Sequence, residues 1–551
     1  MTRSTWLSSL GLVLIGGAPG RSAADPDPKA IDAIFAKYDH TTAPGCAVGV
    51  FRNGQTIFGR GYGMADLNQG VPITTNTVFY IASTSKQFTA MSTALLAEQG
   101  KISLDDPVRK WVPELPAGAD RVTIRHLVHH TSGLRDYLGL WGTSGRGFAD
   151  EIPEEVGLDL IVRQKALDFE PGSRYSYSNS GYFLLSVIVH RASGKTLRQF
   201  AEANIFGPLG MTATHFHDNN AEIVGRRAEG YQPLPGGGFE IVRTSFALVG
   251  DGGLLTTIQD LARWDENFYA NRLGTRGAAL VDQVTTPGRL NTGEAQTYAF
   301  GLMAGQYRGQ PVIEHGGSFI GYRAQLLRFP AQHFSVAVLC NDYTAQPERM
   351  AHQVADLYLA DRLAPVAGPK TKAAGATLAA DRLDRWVGSY ELMPGAVSRV
   401  TRDGAALTMS VFGQVIPLAA IDDSTFDASP IADQVAFRMT AAGPAMTVKA
   451  IGIVDPVVRL SPPPAYTAAE LQAFVGRYAS DELDTWSVIE AKGDTLRART
   501  RWAAWATLQP IAKDRFGVAG ARVQFERDRA GKVTGYRVSA GRMQNVGFVR
   551  R

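Results

Sequence analysis

Apolar and polar positions in the first part of the chain alternate between strand-like and helix-like spacing. The apolar runs Cys46 to Phe51 and Gln55 to Phe58 flank the dipeptide Asn53-Gly54, and this arrangement predicts a β-hairpin. Helical spacing then predicts a helix that leaves the short apolar strand Val78 to Ile81 and stops before Gly100. The first part should therefore combine helices with antiparallel strands.

Two more apolar runs near the end of this part predict its last strands. Ala324 to Phe329 and Phe334 to Cys340 should pair antiparallel across the short connection that begins at Pro330. A strongly apolar helix is expected over Tyr182 to Arg191, ending at Ser193-Gly194.

Short alternating strands with turn residues replace the helices in the last third of the chain. This region contains a repeat, because Leu383 to Tyr390 (LDRWVGSY) matches Leu471 to Tyr478 (LQAFVGRY) at an offset of 88 residues. Each copy suits a small antiparallel barrel, which removes its own sheet edges. The predicted division is a signal peptide at 1–24, a catalytic domain at 25–363, a linker at 364–380, a first barrel at 381–460, a Pro-rich linker at 461–467 and a second barrel at 468–551.

Composition and charge narrow the function classes. The 551 residues are 45% apolar and 20% charged, as in a globular protein, and the net charge of +4 is too small to favour nucleic acid or a membrane surface as a partner. Arg3, the apolar run Trp6 to Ile15 and Ser22-Ala23-Ala24 predict a cleaved signal peptide and a periplasmic or secreted protein. No later stretch is apolar enough to span a membrane.

Metal and cofactor binding have little support in the sequence. The two cysteines are far from any zinc-binding spacing. Three neighbouring histidines, His126, His129 and His130, lack a matching Cys, Asp or Glu, and His215 and His217 alternate as on a strand. We interpret all five as structural and expect neither a cofactor nor a metal.

The segment Ile81 to Lys86 carries the strongest chemical signal. Ser83 and Lys86 are three residues apart, so they share a helix face, with the positive end of the helix dipole beneath them. A serine hydroxyl is a poor nucleophile until a neighbouring base accepts its proton, and a lysine can be that base once its pKa is lowered. An N-cap serine beside a surface lysine would give the same pattern.

Two later stretches favour the catalytic interpretation. Tyr177 and Asn179 lie two apart on a turn-rich segment that leads into a helix near Ser180, and on an extended segment they point the same way. The second stretch is Glu314-His315-Gly316-Gly317-Ser318, which is followed by an apolar strand.

The order S-x-x-K, Y-x-N and small-residue triplet resembles that of the penicillin-recognising serine hydrolases. The similar branch includes class C β-lactamases, D,D-peptidases, D-aminopeptidases and family VIII carboxylesterases. The resemblance covers about residues 30 to 360, and Gly252-Gly253-Leu254 also looks like a segment of that group. It implies an α/β catalytic domain in which an antiparallel sheet flanked by helices joins an all-α subdomain. With two barrels added, the chain looks like the three-domain D-aminopeptidases.

The residue types and the resemblance together imply a mechanism. Ser83 attacks a carbonyl and is acylated, Lys86 takes or shares its proton, and Tyr177 relays protons if positive charge lowers its pKa. Which of Lys86 and Tyr177 is the base stays open. Asn179 should orient Lys86 and the substrate amide. The resemblance places the oxyanion donors at the backbone N–H groups of Ser83 and Ser318.

The third motif departs from the Lys-Thr-Gly of β-lactamases. His315, followed by Gly316 and Gly317, is mostly neutral at neutral pH and cannot replace a lysine that holds a substrate carboxylate. His315 should instead bond Tyr177 or the substrate. Three functions stay open: a D-stereospecific peptidase, most simply an aminopeptidase, on small peptides or amides; a carboxylesterase or weak β-lactamase; and a binding protein with a vestigial site.

The resemblance also implies two features away from the motifs. The strands that carry Cys46 and Cys340 are neighbours in this family, so the two cysteines could form a disulfide, although buried free cysteines are common. In the D-aminopeptidases a loop of the last barrel reaches the cleft, and the candidate here is Arg499 to Trp505. The alternative is that Trp502 and Trp505 belong to the barrel core.

Overall fold

The computed structural model describes residues 25–365, 380–411, 414–428, 432–448 and 453–551. The predicted signal peptide at 1–24 and most of the predicted linker at 364–380 lie outside these residues. Among the described residues, no helix combines the length and the apolar character that a membrane crossing requires.

The helices of the described residues lie mostly before residue 360. They are α1 (Pro28–Phe35), α2 (Lys86–Glu98), α3 (Val108–Trp111), α4 (Ile124–Val128), α5 (Tyr137–Thr143), α6 (Glu154–Val162), α7 (Asn179–Ser193), α8 (Leu197–Ala201), α9 (Gly207–Leu209), α10 (Ile258–Ala270), α11 (Ala278–Thr285), α12 (Pro347–Tyr358), α13 (Ala380–Asp384) and α14 (Ala468–Leu471).

The strands of the first part build one six-stranded antiparallel sheet and several short pairs. They are β1 (Cys46–Arg52), β2 (Gln55–Tyr62), β3 (Met64–Asp66), β4 (Val71–Pro72), β5 (Phe79–Tyr80), β6 (His215–Phe216), β7 (Tyr231–Pro233), β8 (Phe239–Ile241), β9 (Leu254–Thr256), β10 (Met303–Tyr307), β11 (Gln310–Phe319), β12 (Tyr322–Phe329) and β13 (Phe334–Cys340). The large sheet has the order β10-β11-β12-β13-β1-β2.

The middle of this sheet consists of the most apolar strands. Every residue of β13 and all of β1 except Arg52 are buried, because helices cover both faces. Asn53 and Gly54 have positive φ angles of 52° and 74°, as the two-residue turn between β1 and β2 requires. The predicted hairpin and the predicted pairing of β12 with β13 are thus confirmed.

The helical subdomain surrounds two buried helices. In α2, eleven of thirteen residues are buried, and in α7 the first eleven residues are buried. These helices pack on each other and on α4 and α8, so the N-termini of α2 and α7 have fixed positions beside the sheet. Both predicted motifs of the helical part, S-x-x-K and Y-x-N, lie at these two N-termini.

Among the described residues of the last third, sixteen strands form two eight-stranded antiparallel sheets. The first contains β14 (Gly388–Met393), β15 (Ala396–Asp403), β16 (Ala406–Val411), β17 (Gln414–Ala420), β18 (Thr425–Ala428), β19 (Ala432–Thr440), β20 (Gly443–Val448) and β21 (Ile453–Val458). The second contains β22 (Gly476–Ser480), β23 (Thr485–Lys492), β24 (Thr495–Thr500), β25 (Ala506–Ala512), β26 (Arg515–Val518), β27 (Ala521–Arg527), β28 (Val533–Ala540) and β29 (Met543–Arg550).

The repeat read from the sequence is visible in the side chains. The Tyr390 hydroxyl donates to the carbonyl of Trp386, and 88 residues later the Tyr478 hydroxyl donates to the carbonyl of Phe474. The second sheet closes into a barrel, and the first is nearly closed, with a bridge between Tyr390 and Arg459. The expected fold class, a helix-flanked antiparallel sheet followed by two small barrels, is confirmed.

A buried arginine connects the last barrel to the helical subdomain. The Arg135 guanidinium donates to Glu482 of the barrel at 2.7 Å and to the backbone carbonyl of Gln544 at 2.8 Å, and it also pairs with Asp168 at 3.1 Å. Leu140 of α5 is fully buried in the apolar core of the barrel. The barrel is therefore docked by polar and apolar contacts together.

Cys46 and Cys340 lie opposite each other at the ends of β1 and β13. Their Cα atoms are 4.0 Å apart and their sulfur atoms are at bonding distance, 2.08 Å. The structure therefore brings this pair together as the resemblance implies, and a thiol titration under denaturing, non-reducing conditions tests the bond.

Candidate active site

Ser83 lies on a tight turn between β5 and α2. Residues Ala82–Ser85 form one turn of 3-10 helix, and the α-helix begins only at Lys86, three residues later than Ser83. Ala82 has a positive φ of 47°, a strained conformation for a residue with a Cβ atom. The Ser85 hydroxyl stabilises the turn, since it donates to the Ala82 carbonyl at 2.5 Å and accepts from Leu254 N–H at 3.2 Å.

Lys86 is fully buried and surrounded by hydrogen-bond acceptors. Its Nζ lies 3.2 Å from Ser83 Oγ, 2.9 Å from Asn179 Oδ1 and 2.6 Å from the Asp251 carbonyl oxygen. Burial lowers the pKa of Lys86 to about 7; the negative charge of Asp251 opposes this shift and the positive charge of Arg542 adds to it. A substantial neutral fraction of this amine therefore exists near neutral pH, where it can accept a proton.

Tyr177 also faces Ser83, but its environment acts in the opposite direction. Burial raises the pKa of the Tyr177 phenol above its ordinary value, although a hydrogen bond with Ser83 and the charge of Arg542 both favour the phenolate. Its ring lies 4.8 Å from Lys86 Nζ. Positive charge is present near Tyr177, as the sequence argument required, but the effect of burial on its pKa is larger than the effect of that charge. Tyr177 is therefore suited to donate a proton rather than accept one.

Asn179 connects Lys86 to a buried carboxylate that the sequence analysis missed. Its side-chain Nδ2 and its backbone N–H both donate to Asp136 Oδ2, at 2.9 and 2.8 Å, which leaves Oδ1 for Lys86. Asp136 also caps α5, where it accepts from the N–H groups of Leu138 and Gly139. These bonds fix the Asn179 amide in one orientation.

The edge of β11 completes the site opposite Ser83. A Cβ atom on Gly317 would lie 2.1 Å from the Ile81 carbonyl oxygen, so only glycine lets the strand approach the turn that carries Ser83 this closely. Ser318 follows on the same strand and lines the same cavity as Ser83. The two expected oxyanion donors, the backbone N–H groups of Ser83 and Ser318, thus belong to adjacent walls.

His315 has other partners than those predicted from the sequence. Its Nε2 lies 2.9 Å from the Tyr298 hydroxyl and its Nδ1 lies 2.6 Å from the Gly316 carbonyl, so neither nitrogen is left for Tyr177 or a substrate. Burial, with the nearby charge of Lys86, lowers the pKa of His315 to about 4. The ring is neutral, as expected, but it supports β11 instead of meeting the reacting groups.

These groups surround a cavity of about 770 Å³. Its lining includes six of the predicted residues, namely Ser83, Tyr177, Asn179, His315, Gly317 and Ser318. Lys86 is not part of the lining, but it hydrogen-bonds Ser83 and Asn179, which are. Asp251 and Arg542 are among the further charged residues that line it. No motif in the sequence pointed to either residue. Asp251 lies just outside the segment Gly252-Gly253-Leu254, and Arg542 belongs to the last barrel, far from the motifs in the chain.

Arg542 is the residue of the last barrel that lines the described part of this cavity, whereas the sequence predicted the loop Arg499 to Trp505 for that role. It lies in the turn between β28 and β29, 3.5 Å from Asp136 Oδ2 and 5.0 Å from the centre of the Tyr177 ring. The predicted loop, Arg499 to Trp505, does not contribute to the described lining of this cavity and instead approaches Gly145. Trp502 is 52% exposed, so it is not a barrel core residue either.

The predicted structural histidines point to different partners. His126 Nδ1 accepts from the Thr123 N–H, His129 Nδ1 lies 3.0 Å from the Tyr298 carbonyl, and His130 Nδ1 accepts from Ser178 N–H. They therefore do not share a ligand-binding point.

His215, His217 and Glu222 do come together, with one ligand atom of each within 4.8 Å of the others. Two guanidinium groups already occupy this cluster. Arg198 makes two hydrogen bonds of 2.7 Å to Glu222, and Arg227 lies 3.1 Å from His217 Nε2. A metal-bound histidine normally donates its other N–H to an acceptor, and an arginine cannot be one.

Comparison with known proteins settles the family. Residues 31–360, more than half of the chain, match the family described as Beta-lactamase. The chain belongs to the β-lactamase family. This β-lactamase-family protein is a serine hydrolase by that membership, with S-x-x-K, Y-x-N and H-G-G segments in one cavity.

Two curated relatives cover most of the chain's length. Penicillin-binding protein 4* of Bacillus subtilis is 30% identical over 385 residues, which is 66% of this chain and 82% of the relative. A D-aminopeptidase of Cereibacter sphaeroides is 30% identical over 455 residues, which is 82% of each chain. Among solved structures, the octameric penicillin-binding protein homologue from Pyrococcus abyssi has the same fold, with a TM-score of 0.56, 21% identity, and coverage of 85% of this chain and 97% of that one.

Proposed function

We propose that this β-lactamase-family protein is a D-stereospecific peptidase or amidase, and most simply an aminopeptidase, that works through an acyl-enzyme on Ser83. One observation carries the proposal: Lys86 Nζ lies 3.2 Å from Ser83 Oγ, and burial lowers its pKa to about 7. A nucleophile beside a base that is neutral at working pH is what acyl transfer requires.

In the proposed reaction, neutral Lys86 accepts the Ser83 proton while Oγ forms a bond to the substrate carbonyl carbon. The negative charge that develops on the carbonyl oxygen is stabilised by the N–H groups of Ser83 and Ser318. The tetrahedral intermediate then breaks its bond to the leaving amine, which receives a proton from Lys86 through Tyr177. Water attacks the acyl-enzyme in the same way, releases the acid and returns the proton to Ser83.

The preference for a free amino group is supported by charge in the cavity. Asp251 lines the cavity, and it is negatively charged at neutral pH because burial raises its pKa only to about 6. Its backbone carbonyl accepts from Lys86, and its carboxylate accepts from the Tyr137 hydroxyl. A substrate α-ammonium group next to the scissile carbonyl would find this carboxylate nearby. The similarity over 82% of a chain named D-aminopeptidase favours the same substrate class.

A carboxylesterase is the second candidate, favoured by the apolar wall of the cavity. Phe246, Leu248 and Phe319 line it, and they would suit an uncharged ester as well as an apolar side chain. A binding protein with a vestigial site is not supported, because Lys86 hydrogen-bonds both Ser83 and Asn179 in this cavity.

A substrate panel with an inactive control tests the proposal. D-alanine p-nitroanilide, its L-enantiomer, p-nitrophenyl butyrate and nitrocefin are compared on wild type, and we expect the D-anilide to exceed the L-anilide at least tenfold in kcat/KM. Ser83→Ala should lose turnover of every substrate and labelling by a fluorophosphonate, with an unchanged melting temperature. Equal rates on both enantiomers, or labelling that persists in Ser83→Ala, would contradict the proposal.

We also propose that the protein is exported after removal of residues 1–24, since that segment has the charged, apolar and small-residue parts of a signal peptide. N-terminal sequencing of protein recovered from the periplasm of a bacterial host should begin at Asp25. Recovery of the uncleaved chain from the cytoplasm alone would contradict export.

A further inference from the structure

A second cavity, of about 740 Å³, lies where the last barrel meets the helical subdomain. The inner faces of strands β23 to β29 form most of its wall. Gly139 and Gly142 of α5, together with Phe148, close the side next to the catalytic part. Its size falls within the range of about 300–1,000 Å³ that small-molecule sites occupy, and domain junctions are common places for such sites.

The barrel is hollow at this end because its side chains are short. Seven alanines line the cavity, among them Ala498, Ala521 and Ala540. An eight-stranded barrel is just wide enough either to be filled by its own side chains or to hold one small ligand. Large side chains fill the other end, where Phe474, Phe516 and Phe525 pack together, so the hollow is confined to the end that faces the active site.

The polar groups within the barrel leave an apolar surface for a ligand. Ser487 and Tyr536 both line the cavity, and their hydroxyl groups hydrogen-bond each other. Among the described lining residues, two are charged, Asp136 and Arg542, and we call the end of the cavity that they line its mouth. Asp136 already accepts hydrogen bonds from Asn179 and from the start of α5, whereas the Arg542 side chain is 46% exposed and meets Asp136 only at 3.5 Å. At the mouth, the Arg542 guanidinium therefore has N–H groups available to a ligand, next to an apolar interior.

The two cavities share this mouth. Leu138 and Arg542 line both of them. Phe148 lines the second cavity, while Phe246 and Phe319 line the first, and these three rings lie 5.6 to 5.8 Å from one another. An apolar surface thus continues from the region of Ser83 to the hollow of the barrel.

We propose that the barrel cavity binds a linear acyl chain of medium to long length, with the carboxyl end of that chain at Arg542. The apolar interior fits the hydrocarbon, the guanidinium fits a carboxylate, and the aromatic bridge would let the carboxyl end reach the catalytic cavity. Two sources share this chemistry: a free fatty acid, and the acyl group of an ester or amide substrate. Binding of a free acid is independent of the proposed reaction, whereas the substrate source rests on it.

Calorimetric titration of the full-length protein with octanoate, decanoate and dodecanoate tests the binding. Affinity should rise about fourfold for each methylene added, as expected for burial of a hydrocarbon chain. Ala498→Leu and Ala521→Leu, which fill the cavity, should each weaken dodecanoate binding at least tenfold, while Ala530→Leu on an exposed turn of the same barrel should not. Arg542→Gln should weaken binding of dodecanoate but not of dodecanol.

Ester hydrolysis distinguishes the two sources. If the ratio of p-nitrophenyl dodecanoate to p-nitrophenyl butyrate turnover falls in the filled variants, the cavity holds the acyl group of the substrate. If the ratio is unchanged while dodecanoate binding is lost, the ligand is a free fatty acid. Binding without chain-length dependence, or filled variants that bind dodecanoate like wild type, would overturn the proposal. Ser83→Ala should retain dodecanoate binding, so failure of the proposed reaction would be seen separately.

Discussion

At the scale of single residues, the assignment of proton acceptor follows from burial. Lys86 and Tyr177 lie beside the same hydroxyl, and the sequence left open which of them is the base. Burial disfavours the charged form of each, and this lowers the pKa of the amine and raises that of the phenol. The same physical cause therefore makes Lys86 the better acceptor and Tyr177 the better donor.

The pH dependence of activity should report Lys86. As pH falls through about 7, Lys86 gains a proton and can no longer accept one, so kcat/KM should decline on the acid side with an apparent pKa near 7 that belongs to the coupled Lys86–Asp251 pair. His315 should add no limb near its ordinary pKa, since its pKa lies at about 4. A pH profile of D-anilide or ester hydrolysis checks this, and a flat profile between pH 5 and 9 would contradict it.

Arg542 should shift that limb without touching the nucleophile. Its positive charge lowers the pKa of Lys86, so Arg542→Gln should move the acid limb to higher pH. Arg537→Gln is a matched control, because Arg537 lies on β28 and pairs with Glu526 on the barrel surface. Identical limbs in wild type and Arg542→Gln would show that the barrel does not influence the catalytic base.

Replacement of His315 by lysine should impair the enzyme rather than redirect it. A lysine at this position would be buried, would lose the Tyr298 and Gly316 hydrogen bonds, and would place a second cation near Lys86. We expect a lower melting temperature and lower turnover of both nitrocefin and p-nitrophenyl butyrate, whereas His190→Lys, at an exposed position of α7, should change neither. A His315→Lys variant of normal stability that gains nitrocefin turnover would contradict this expectation and show that a lysine at this position can hold a substrate carboxylate.

At the scale of elements, the close approach of β11 to the turn Ala82–Ser85, which carries Ser83, depends on Gly317. An added Cβ would clash with the Ile81 carbonyl, which belongs to backbone and cannot rotate away. Gly317→Ala should cost about 1–3 kcal/mol of stability, as overpacking does, and should sharply lower kcat. Gly236→Ala, where a Cβ meets open space, is the matched control. Denaturant unfolding and ester turnover measure the two effects, and full activity in Gly317→Ala would rule out the close approach.

The sequence predicted elements well where local chemistry determines them. The β1–β2 hairpin follows from Asn53-Gly54, and the duplicated barrels follow from the repeated Leu-to-Tyr segment. The sequence also identified the site residues that belong to a short motif, such as Ser83 and Lys86, which are three residues apart. Asp136, Asp251, Tyr298 and Arg542 were missed because each comes from a remote segment and takes its role only from folding.

At the scale of the whole molecule, the last barrel is part of the catalytic architecture. Arg135 is 4% exposed; it pairs with Glu482 across the junction and with Asp168 on its own side. Arg135→Met should lower stability by about 3–5 kcal/mol, because it removes the cation that pairs with two buried carboxylates. Arg163→Met, which breaks an exposed pair with Asp159, should cost less than about 1 kcal/mol. Thermal unfolding compares the two, and equal effects would contradict a structural role for the junction.

Because of this junction, deletion of the last barrel would test stability before it tests the role of the barrel in substrate selection. Removal of residues 465–551 would expose Leu140 and strip Arg135 of Glu482, so a truncated protein should unfold more easily before any effect on substrate range is visible. The division into domains at residues 364–380 and 461–467 stays a prediction, and single substitutions at Arg542 test the influence of the barrel more cleanly than truncation does.

The bond between Cys46 and Cys340 encloses almost the whole catalytic sequence in one covalent ring, since the two cysteines are 294 positions apart and both barrels lie outside it. A protease that cuts once anywhere inside that ring opens it without releasing a fragment. Such a nicked protein would run as an intact chain on a non-reducing gel and separate only after reduction. A protein built this way could tolerate a surface cut and still keep Ser83, Lys86 and the β11 edge on one connected body.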